Sequence, residues 1–453
     1  MRTRHGLRNP SARRFLVIAA RILAVVHVVG AFWQYGLRPP EEKDAYDYDA
    51  VAWNLLHGRG YAFGETDPGF QEWYRDWAEQ TGDPRYDERL ADPRPIATTA
   101  VRPPTLPTML AATYAITGRQ VWPWRVISAL LVAGAWWLAA GWAWRVGGPA
   151  AGWLVAGVGA LEPFTLRYAG RFLTEPAILL IATALLASLS ATARTPKRWP
   201  VLASGVLMGL SMVTRSVTGA WLPAACLAVY LGRRRGARAS RKHAALAALA
   251  CAAIACGTAS PWWVRNVVVL GEPMPLGTQG GLAIAGGYSD DALKNTGKWV
   301  SPKDLPLIVA VEQEAQAAAE AGQPWTPLEL EIARSKAGQA HMGRWAREHA
   351  GDMPRLIAMR LYSHWTDRSG LFGLILVVVA ASAWRTPRGL GAVWWVVGLN
   401  TLAVMGTYAV GSGRFLVPLL PALAVLAACS TAYWLRKRRA GIRHKALANA
   451  ASG

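Results

Sequence analysis

Three aspartates close together after the first apolar run are the first residues whose types and spacing suggest chemistry. They lie in the stretch 44–56, Asp-Ala-Tyr-Asp-Tyr-Asp-Ala-Val-Ala-Trp-Asn-Leu-Leu, whose apolar second half predicts a short amphipathic helix on a membrane surface. On such a helix Asp44, Asp47 and Tyr48 share a face, and Asp49 points elsewhere. A carboxylate held there can remove a proton from an acceptor, which makes the three aspartates candidate catalytic residues. The competing interpretation is an acidic helix start that only stabilises its own helix.

Charged residues at the ends of other apolar runs form a second set of candidates. A single arginine in this position can simply extend to the lipid headgroups, whereas four arginines on one face of a membrane can bind a phosphate. Glu175 begins a predicted helix, where a carboxylate is favourable in any case. Together with Tyr48, the candidate substrate- or phosphate-binding residues are Arg102, Arg171, Glu175, Arg265, Asn266 and Arg414.

The composition places these residues in a membrane protein. Of the 453 residues, 53% are hydrophobic and 17% are charged, and soluble domains usually have about a quarter of charged residues. The chain has 23 Trp and 8 Phe, and membrane interfaces favour Trp. A spanning helix needs ~20 mostly apolar residues. The ten segments predicted to span are 15–33 and about 122–144, 149–165, 174–193, 200–214, 217–232, 244–263, 369–384, 390–410 and 415–435.

Charge asymmetry orients these spans. Six pieces of chain are predicted to be cytoplasmic, namely 1–14, 145–148, 194–199, 233–243, 385–389 and 436–453. They hold 23 of the 49 Lys and Arg residues and none of the 28 Asp and Glu residues, so the positive-inside rule places both termini in the cytoplasm and the candidate residues outside it. The formal net charge of +21 then follows from topology, and it gives no support to nucleic-acid binding.

This topology predicts one all-α membrane domain at 15–435 between two cytoplasmic basic tails, 1–14 and 436–453. Two long segments face outward, about 34–121 and 264–370, and they are expected to form a helical extracytoplasmic cap. Their predicted helices are 106–117, placed at the outer interface, and the stretches 306–321 and 327–355, which are rich in Ala, Glu and Leu.

Signals of soluble enzymes are missing from the sequence. The four cysteines lie in apolar runs, so they predict small buried side chains and neither disulfides nor a zinc site. The histidines have no zinc-ligand spacing. The sequence contains no phosphate-binding loop of the Walker type, which argues against the use of cytoplasmic ATP.

The order of six short motifs resembles the polytopic glycosyltransferases of the GT-C fold. The similarity is to the bacterial aminoarabinose-transferase and protein O-mannosyltransferase-like enzymes, although Ala45 stands where many relatives have Glu. The motifs run in the family's order from residue 44 to residue 421. They are Asp44-x-x-x-Tyr48-x-x-x-Ala52-x-Asn54-Leu55-Leu56-x-Gly58-x-Gly60-Tyr61, Arg102-Pro103-Pro104-x-x-Pro107, Thr174-Glu175-Pro176, Gly209-Leu210-x-x-x-Thr214-Arg215, Pro261-Trp262-x-x-Arg265-Asn266 and Arg414-Phe415-x-x-Pro418-x-x-Pro421.

The resemblance implies a GT-C-like bundle of about ten spans (eight to twelve) in a bacterial inner or plasma membrane. It also implies a hexosyl- or pentosyltransferase that moves a sugar from a polyprenyl-phosphate donor to a lipid, glycan or protein of the cell envelope, with inversion. Asp44 would be the general base, with Asp47 and Asp49 as rivals. Arg265, and after it Arg102, Arg171 or Arg414, would neutralise the leaving phosphate.

Three further questions stay open at this point. Glu175 would position the sugar or the acceptor. The resemblance requires no cofactor, but the three nearby aspartates could hold a divalent cation with oxygen ligands. The alternative functions are a transporter or a lipid or glycan flippase without transferase activity, and a non-catalytic assembly protein of the membrane. Membrane lipids are partners in every case.

Overall fold

A computed structural model describes residues 10–41, 44–65, 67–82, 95–236, 238–382, 386–387 and 389–452. In this part of the chain the only strands are β1 (Ala62–Phe63) and β2 (Ala97–Thr98), which pair antiparallel. The helices are α1 (Pro10–Tyr35), α2 (Asp44–Leu56), α3 (Pro68–Thr81), α4 (Thr105–Thr117), α5 (Val121–Gly147), α6 (Pro149–Leu161), α7 (Pro163–Leu166), α8 (Glu175–Thr192), α9 (Trp199–Thr214), α10 (Leu222–Leu231), α11 (Arg241–Leu270), α12 (Gln279–Ala285), α13 (Asp290–Lys294), α14 (Pro306–Glu320), α15 (Pro327–Glu348), α16 (Met353–Thr366), α17 (Arg368–Ser382), α18 (Gly391–Gly406) and α19 (Leu420–Ser452).

The protein is an all-α integral membrane protein, as predicted, and each of the ten predicted spans contains a helix. Among the described residues, length and composition qualify five helices as spans, and a sixth if α16 and α17, bent by 81°, are taken together. The helices α6, α9 and α18 are apolar but have 10 to 17 residues. At 1.5 Å per residue they are shorter than the ~30 Å of a hydrocarbon core.

Four of the pieces predicted to be cytoplasmic lie close together. Arg436 of α19 donates a hydrogen bond to the carbonyl of Gly147, at the end of α5, at 2.8 Å. Arg233, which follows α10, donates to the carbonyl of Thr195, which follows α8, at 3.1 Å. Arg145 in α5 and Arg194 after α8 interact electrostatically, so these four parts of the chain lie on one face of the bundle, as the charge pattern predicts. Of the two predicted tails, residues 1–9 and 453 lie outside the described part of the chain.

Two glycines let α9 and α11 pack closely. A Cβ atom added at Gly209 would lie 2.5 Å from the carbonyl oxygen of Ala255. One added at Gly205 would lie 2.7 Å from the Cβ of Ile254. The spacing is the small-x-x-x-small pattern by which membrane helices approach one another. This contact fixes the end of α9, and therefore the position of Arg215, which follows it directly.

The extramembrane helices agree with the predictions apart from one break. The predicted helix 106–117 is α4, and the stretch 306–321 is α14. The stretch 327–355 does not form one helix, because α15 ends at Glu348 and α16 begins at Met353.

The first extramembrane segment is organised around the guanidinium of Arg119, in the turn between α4 and α5. It pairs with Asp49 of α2, with Glu65 at 2.6 Å and with Asp67 at 3.3 Å. The same guanidinium lies 3.6 Å from the ring centroid of Phe70 in α3. The side chains of Asp49 and Glu65 are 1% and 0% exposed. One cation thus stabilises two buried carboxylates from different elements.

Replacing Gly209 with Leu should destabilise the protein because the new side chain must push α9 away from α11. Overpacking of this kind costs about 1–3 kcal/mol or more. Gly257→Leu is the matched control, since Gly257 lies in α11 with no atom within 4 Å of its Cβ position. The measurement is the thermal midpoint of both variants in detergent. Equal midpoints would show that the α9–α11 contact is not tight.

Arg119→Ala should lower the free energy of unfolding by about 3–5 kcal/mol, because it leaves buried carboxylates without their cation. The control is Lys294→Ala, which removes an exposed pair with Asp291 at 3.2 Å and should cost about 0–1 kcal/mol. Denaturant titration in detergent micelles measures both. An Arg119→Ala variant as stable as the control would contradict the central position of Arg119.

Candidate functional site

The guanidinium of Arg102, which follows strand β2, packs against one face of α2. Arg102 contacts Asp47 through Nε at 3.0 Å and Nη2 at 2.5 Å. Its Nη2 also lies 2.8 Å from Oδ1 of Asp44. The guanidinium carbon lies 5.5 Å from the ring centroid of Tyr48. The prediction that Asp44, Asp47 and Tyr48 share a face is therefore confirmed, and Arg102 is the residue that this face contacts.

The second carboxylate oxygen of Asp44 reaches a different part of the chain. Oδ2 accepts a hydrogen bond from Nη1 of Arg414 at 3.3 Å. Arg414 also pairs with Glu175 at the start of α8 through two nitrogens. Arg215, at the end of α9, lies 3.3 Å from the same Glu175 carboxylate. We call this connected set the site network, and its members are Asp47, Arg102, Asp44, Arg414, Glu175 and Arg215.

The site network is buried at one end and open at the other. Glu175 has 0% of its side chain exposed, whereas Asp44 and Asp47 have 32% each. Buried carboxylates are stable only when they are paired, and Glu175 has two arginines. Asp44 and Asp47 are therefore the carboxylates that an external molecule can approach while Glu175 and its arginines stay in place.

The neighbouring cations decide the charge of Asp44. Burial acts to raise the pKa of its carboxyl, but the guanidinium groups of Arg102 and Arg414 outweigh burial and lower that pKa to about 2. Tyr48 responds in the opposite direction, because burial raises the pKa of its phenol to about 12 although Arg102 acts to lower it. At neutral pH Asp44 is consequently an anion, and Tyr48 is a neutral hydrogen-bond donor.

Tyr61 connects the site network to a second cation, Arg265. The Tyr61 hydroxyl donates to the carbonyl oxygens of Arg102 and Pro103 at 2.8 and 3.1 Å. The guanidinium carbon of Arg265 lies 5.1 Å from the ring centroid of the same tyrosine. The side chain of Tyr61 thus lies between Arg265 and the backbone of Arg102.

Arg265 differs from the other predicted arginines in its partners. It donates to the carbonyls of Thr99 and Tyr61 at 2.7 and 3.3 Å and to the side chain of Asn266 at 3.1 Å. Arg102, Arg414 and Arg171 each form an ion pair. Within the described ranges Arg265 forms none, and the carboxylate that acts on its charge, Glu331, does so without a direct contact.

Five of the ten predicted site residues are not members of the site network. Tyr48 and Arg265 lie beside it, and the other three have different partners. Asp49 pairs with Arg119 in the first extramembrane segment, and burial raises the pKa of its carboxyl although Arg119 opposes the shift. Arg171 pairs with Glu41 at 2.9 Å, beside a small cleft. Asn266 is buried and donates to the carbonyl of Pro275 at 3.0 Å, which holds the chain that leaves α11.

Sequence reasoning did not assign three residues that organise the site. Arg215 belongs to the Thr-Arg motif, and its position between two short apolar runs was a signal of a membrane-embedded cation. Arg119 lies in the short polar turn Gly118-Arg119-Gln120 between two apolar helices, which was a weaker signal. Glu331 accepts a hydrogen bond from the Ala100 N–H, near Arg102. No local signal indicated it, because α15 contains several Glu residues and nothing in the sequence distinguishes this one.

The three aspartates of α2 do not converge on a cation position. Asp44 and Asp47 face Arg102, while Asp49 faces Arg119. Across the residues for which the structure gives positions, no group of three or more His, Cys, Asp or Glu side chains has the geometry to hold a metal ion. The four cysteines are free.

Comparison with known proteins gave matches at the level of structure only. No protein-family model and no curated protein sequence matches the chain. One similar solved structure is ArnT from Cupriavidus metallidurans bound to undecaprenyl phosphate, with a TM-score of 0.43 and 16% identity over 92% of this chain and 75% of that one. Another is ArnT of the same organism in the apo state, with a TM-score of 0.37 and 15% identity over 92% and 78% of the two chains.

Proposed function

We propose that the protein is a membrane glycosyltransferase that moves a sugar from a polyprenyl-phosphate donor to an acceptor in the cell envelope. The observation that carries the proposal is the arrangement of a partly exposed carboxylate, Asp44, between two arginines, with the unpaired Arg265 close by. A reaction that deprotonates an acceptor and releases a phosphate needs an anionic group and a cationic group in one site.

The phosphate of the donor is proposed to bind Arg265. This arginine forms no ion pair among the described residues, and aromatic rings of Tyr61 and Trp262 lie 5.1 and 5.0 Å from its guanidinium carbon. It belongs to α11, a helix long and apolar enough to cross a membrane. A cation on such a helix can meet a lipid phosphate while the polyprenyl chain stays in hydrocarbon, and phosphate binding suits a guanidinium because of its paired donors.

The chemical step is proposed as a single inverting displacement. The acceptor oxygen or nitrogen bonds to the anomeric carbon, its proton passes to Asp44, and the bond from the anomeric carbon to the phosphate oxygen breaks. The donor is a phosphodiester with one negative charge, and the released polyprenyl phosphate can carry two. Arg265, together with Arg102 and Arg414, would stabilise the charge that develops on the leaving group.

The pairing of Asp44 affects its basicity. A carboxylate held between two guanidiniums is a weak base, since the cations stabilise the charged form. When the phosphate gains negative charge, it competes with Asp44 for Arg102 and Arg414. Any loss of these pairs raises the basicity of Asp44 at the moment when the acceptor proton must be removed. Glu175 would keep Arg414 in position through this change, because it is buried beside it.

The proposal places the reaction on the extracytoplasmic side, where the donor would come from the outer leaflet. The support is the absence of acidic residues from the pieces that meet at the opposite end of the bundle, together with their Lys and Arg content. Labelling of a cysteine introduced at position 59, in the exposed turn after α2, checks this placement. Labelling from the cytoplasmic side alone would contradict it.

Asp44→Asn should lower transfer by about 10²–10⁴-fold, because an amide cannot accept the acceptor proton. The variant should fold, since Arg102 keeps Asp47 and Arg414 keeps Glu175. The assay supplies membranes with radiolabelled polyprenyl-phosphate sugars and measures incorporation into product, with protein abundance measured in parallel. Asp291→Asn, at an exposed position, is the control.

Two results of this assay would change the assignment. Full activity of Asp44→Asn with loss of activity in Asp47→Asn would move the base to Asp47. Transbilayer movement of the lipid without sugar incorporation by the wild-type protein would favour the flippase alternative.

The pH dependence of kcat/KM gives an independent check. With a pKa of about 2 in place of 3.8, Asp44 stays ionised as the pH falls, so its protonation should cause no loss of activity between about pH 8 and 5. Arg414→Gln removes one cation, which raises the pKa of Asp44 and moves any acidic limb to higher pH. An acidic limb in the wild-type profile that is unchanged in Arg414→Gln would belong to another group.

A further inference from the structure

The backbone between β2 and α4 connects two of the three cations proposed to act on the phosphate. Arg102 is part of it, and Arg265 donates to the carbonyl of Thr99 at 2.7 Å. Two hydrogen bonds connect Tyr61 to this backbone. Thr99 N–H donates to the Tyr61 carbonyl at 3.1 Å, and the Tyr61 hydroxyl donates to the Arg102 carbonyl. The position of residues 99–103 therefore sets the spacing of Arg102 and Arg265.

A carboxylate from the distant helix α15 holds this backbone on its other side. Oε1 of Glu331 accepts from the Ala100 N–H at 3.0 Å, and Oε2 accepts from the Thr99 hydroxyl at 2.8 Å. The hydroxyl of Thr278 also donates to Oε1. Thr278 N–H in turn donates to the Ala100 carbonyl at 3.3 Å. Glu331 thus joins two loops that are separated by more than 150 residues in sequence.

Close backbone packing brings α15 to this position. A Cβ atom added at Gly338 would lie 2.5 Å from the carbonyl oxygen of Gly281 in α12, and one added at Gly281 would lie 2.0 Å from the carbonyl oxygen of Ser335. A Cβ added at Gly277 would lie 2.1 Å from the Ala100 carbonyl oxygen. The three contacts have no room for larger side chains, so the distance from α15 to residues 99–103 is tightly defined.

We propose that Glu331 is a positioning residue for donor binding, by which the second extramembrane segment fixes the spacing of Arg102 and Arg265. Glu331 touches neither guanidinium in its hydrogen bonds, although its negative charge acts on Arg265. It acts through the backbone of residues 99–101. The inference rests on the proposed function for its effect on the donor, and it makes a separate structural claim about the Ala100 amide.

The chemistry of the contact explains why a carboxylate is used. Three donors, one amide N–H and two hydroxyls, meet the two oxygens of Glu331. An ionised carboxylate accepts all three, and hydrogen bonds to a charged acceptor are stronger than neutral ones. A Gln side chain keeps one oxygen for Ala100 and Thr278 and presents an amide nitrogen to Thr99. An Ala side chain leaves all three donors unpaired.

Hydrogen exchange tests the structural claim without any substrate. In Glu331→Ala the Ala100 amide should exchange on the order of tenfold faster or more, since it loses its hydrogen-bond acceptor. Glu331→Gln should show an intermediate rate. The control is Glu312→Ala. Glu312 belongs to α14, and its carboxylate pairs at 2.5 Å with Arg334, which lies in α15 as Glu331 does. Equal exchange at Ala100 in Glu331→Ala and Glu312→Ala would overturn the proposal.

Kinetics with a polyprenyl-phosphate sugar test the functional claim. Glu331→Ala should raise the KM for the donor on the order of tenfold with a smaller effect on kcat, and Glu331→Gln should recover part of the loss. In the double variant with Arg265→Ala the losses should be less than multiplicative, because both changes act on one contact with the phosphate. Multiplicative losses, or a change in kcat alone, would contradict positioning through Arg265.

The two measurements separate the proposals. A wild-type protein that transfers no sugar from any donor would overturn the proposed function, and the exchange of Ala100 would still decide whether Glu331 holds residues 99–101. Normal transfer with an unchanged donor KM in Glu331→Ala would overturn the positioning proposal and leave the transferase proposal intact.

Discussion

The contact on which the site depends is the sharing of the Asp44 carboxylate between Arg102 and Arg414. These three residues belong to α2, to the loop before α4 and to the loop before α19. Each charge would be costly at the edge of a hydrocarbon layer if it were unpaired. Their mutual attraction therefore fixes where three distant parts of the chain meet. Glu175 and Arg215 extend the same pairing into the bundle and connect it to α8 and α9.

Two groups of carboxylate–arginine contacts have different consequences. Around Arg119 the cation is buried with two buried carboxylates, so this group stabilises the first extramembrane segment. In the site network two carboxylates, Asp44 and Asp47, remain partly exposed, and Arg265 lies beside the network without an ion pair among the described residues. A carboxylate that water and substrate can reach, next to a cation that can still bind an anion, is the arrangement that transfer from a phosphate donor requires.

The membrane environment explains why small residues mediate the helix contacts and charged residues lie in other parts of the chain. Close helix contacts such as that of Gly209 with Ala255 need small residues, because lipid supplies little hydrophobic drive for helix association. The ionisable side chains of the site network lie together at one end of the bundle, where Glu331 of α15 contacts the backbone beside Arg102. The second extramembrane segment thereby becomes part of the site through hydrogen bonds to the backbone.

Local properties of the sequence specify the helical elements and predict their sidedness. The apolar runs, the helix at Asp44–Leu56 and the shared face of Asp44, Asp47 and Tyr48 follow from periodicity and helix geometry. The pairing of the charged side chains comes from the tertiary structure. In it Asp49 pairs with Arg119, Asp44 pairs with Arg414 across 370 positions, and Arg265 has no ion pair among the described residues. Spacing along a chain cannot predict these partners, because an ion pair depends on which loops the packed helices bring within a few ångströms of one another.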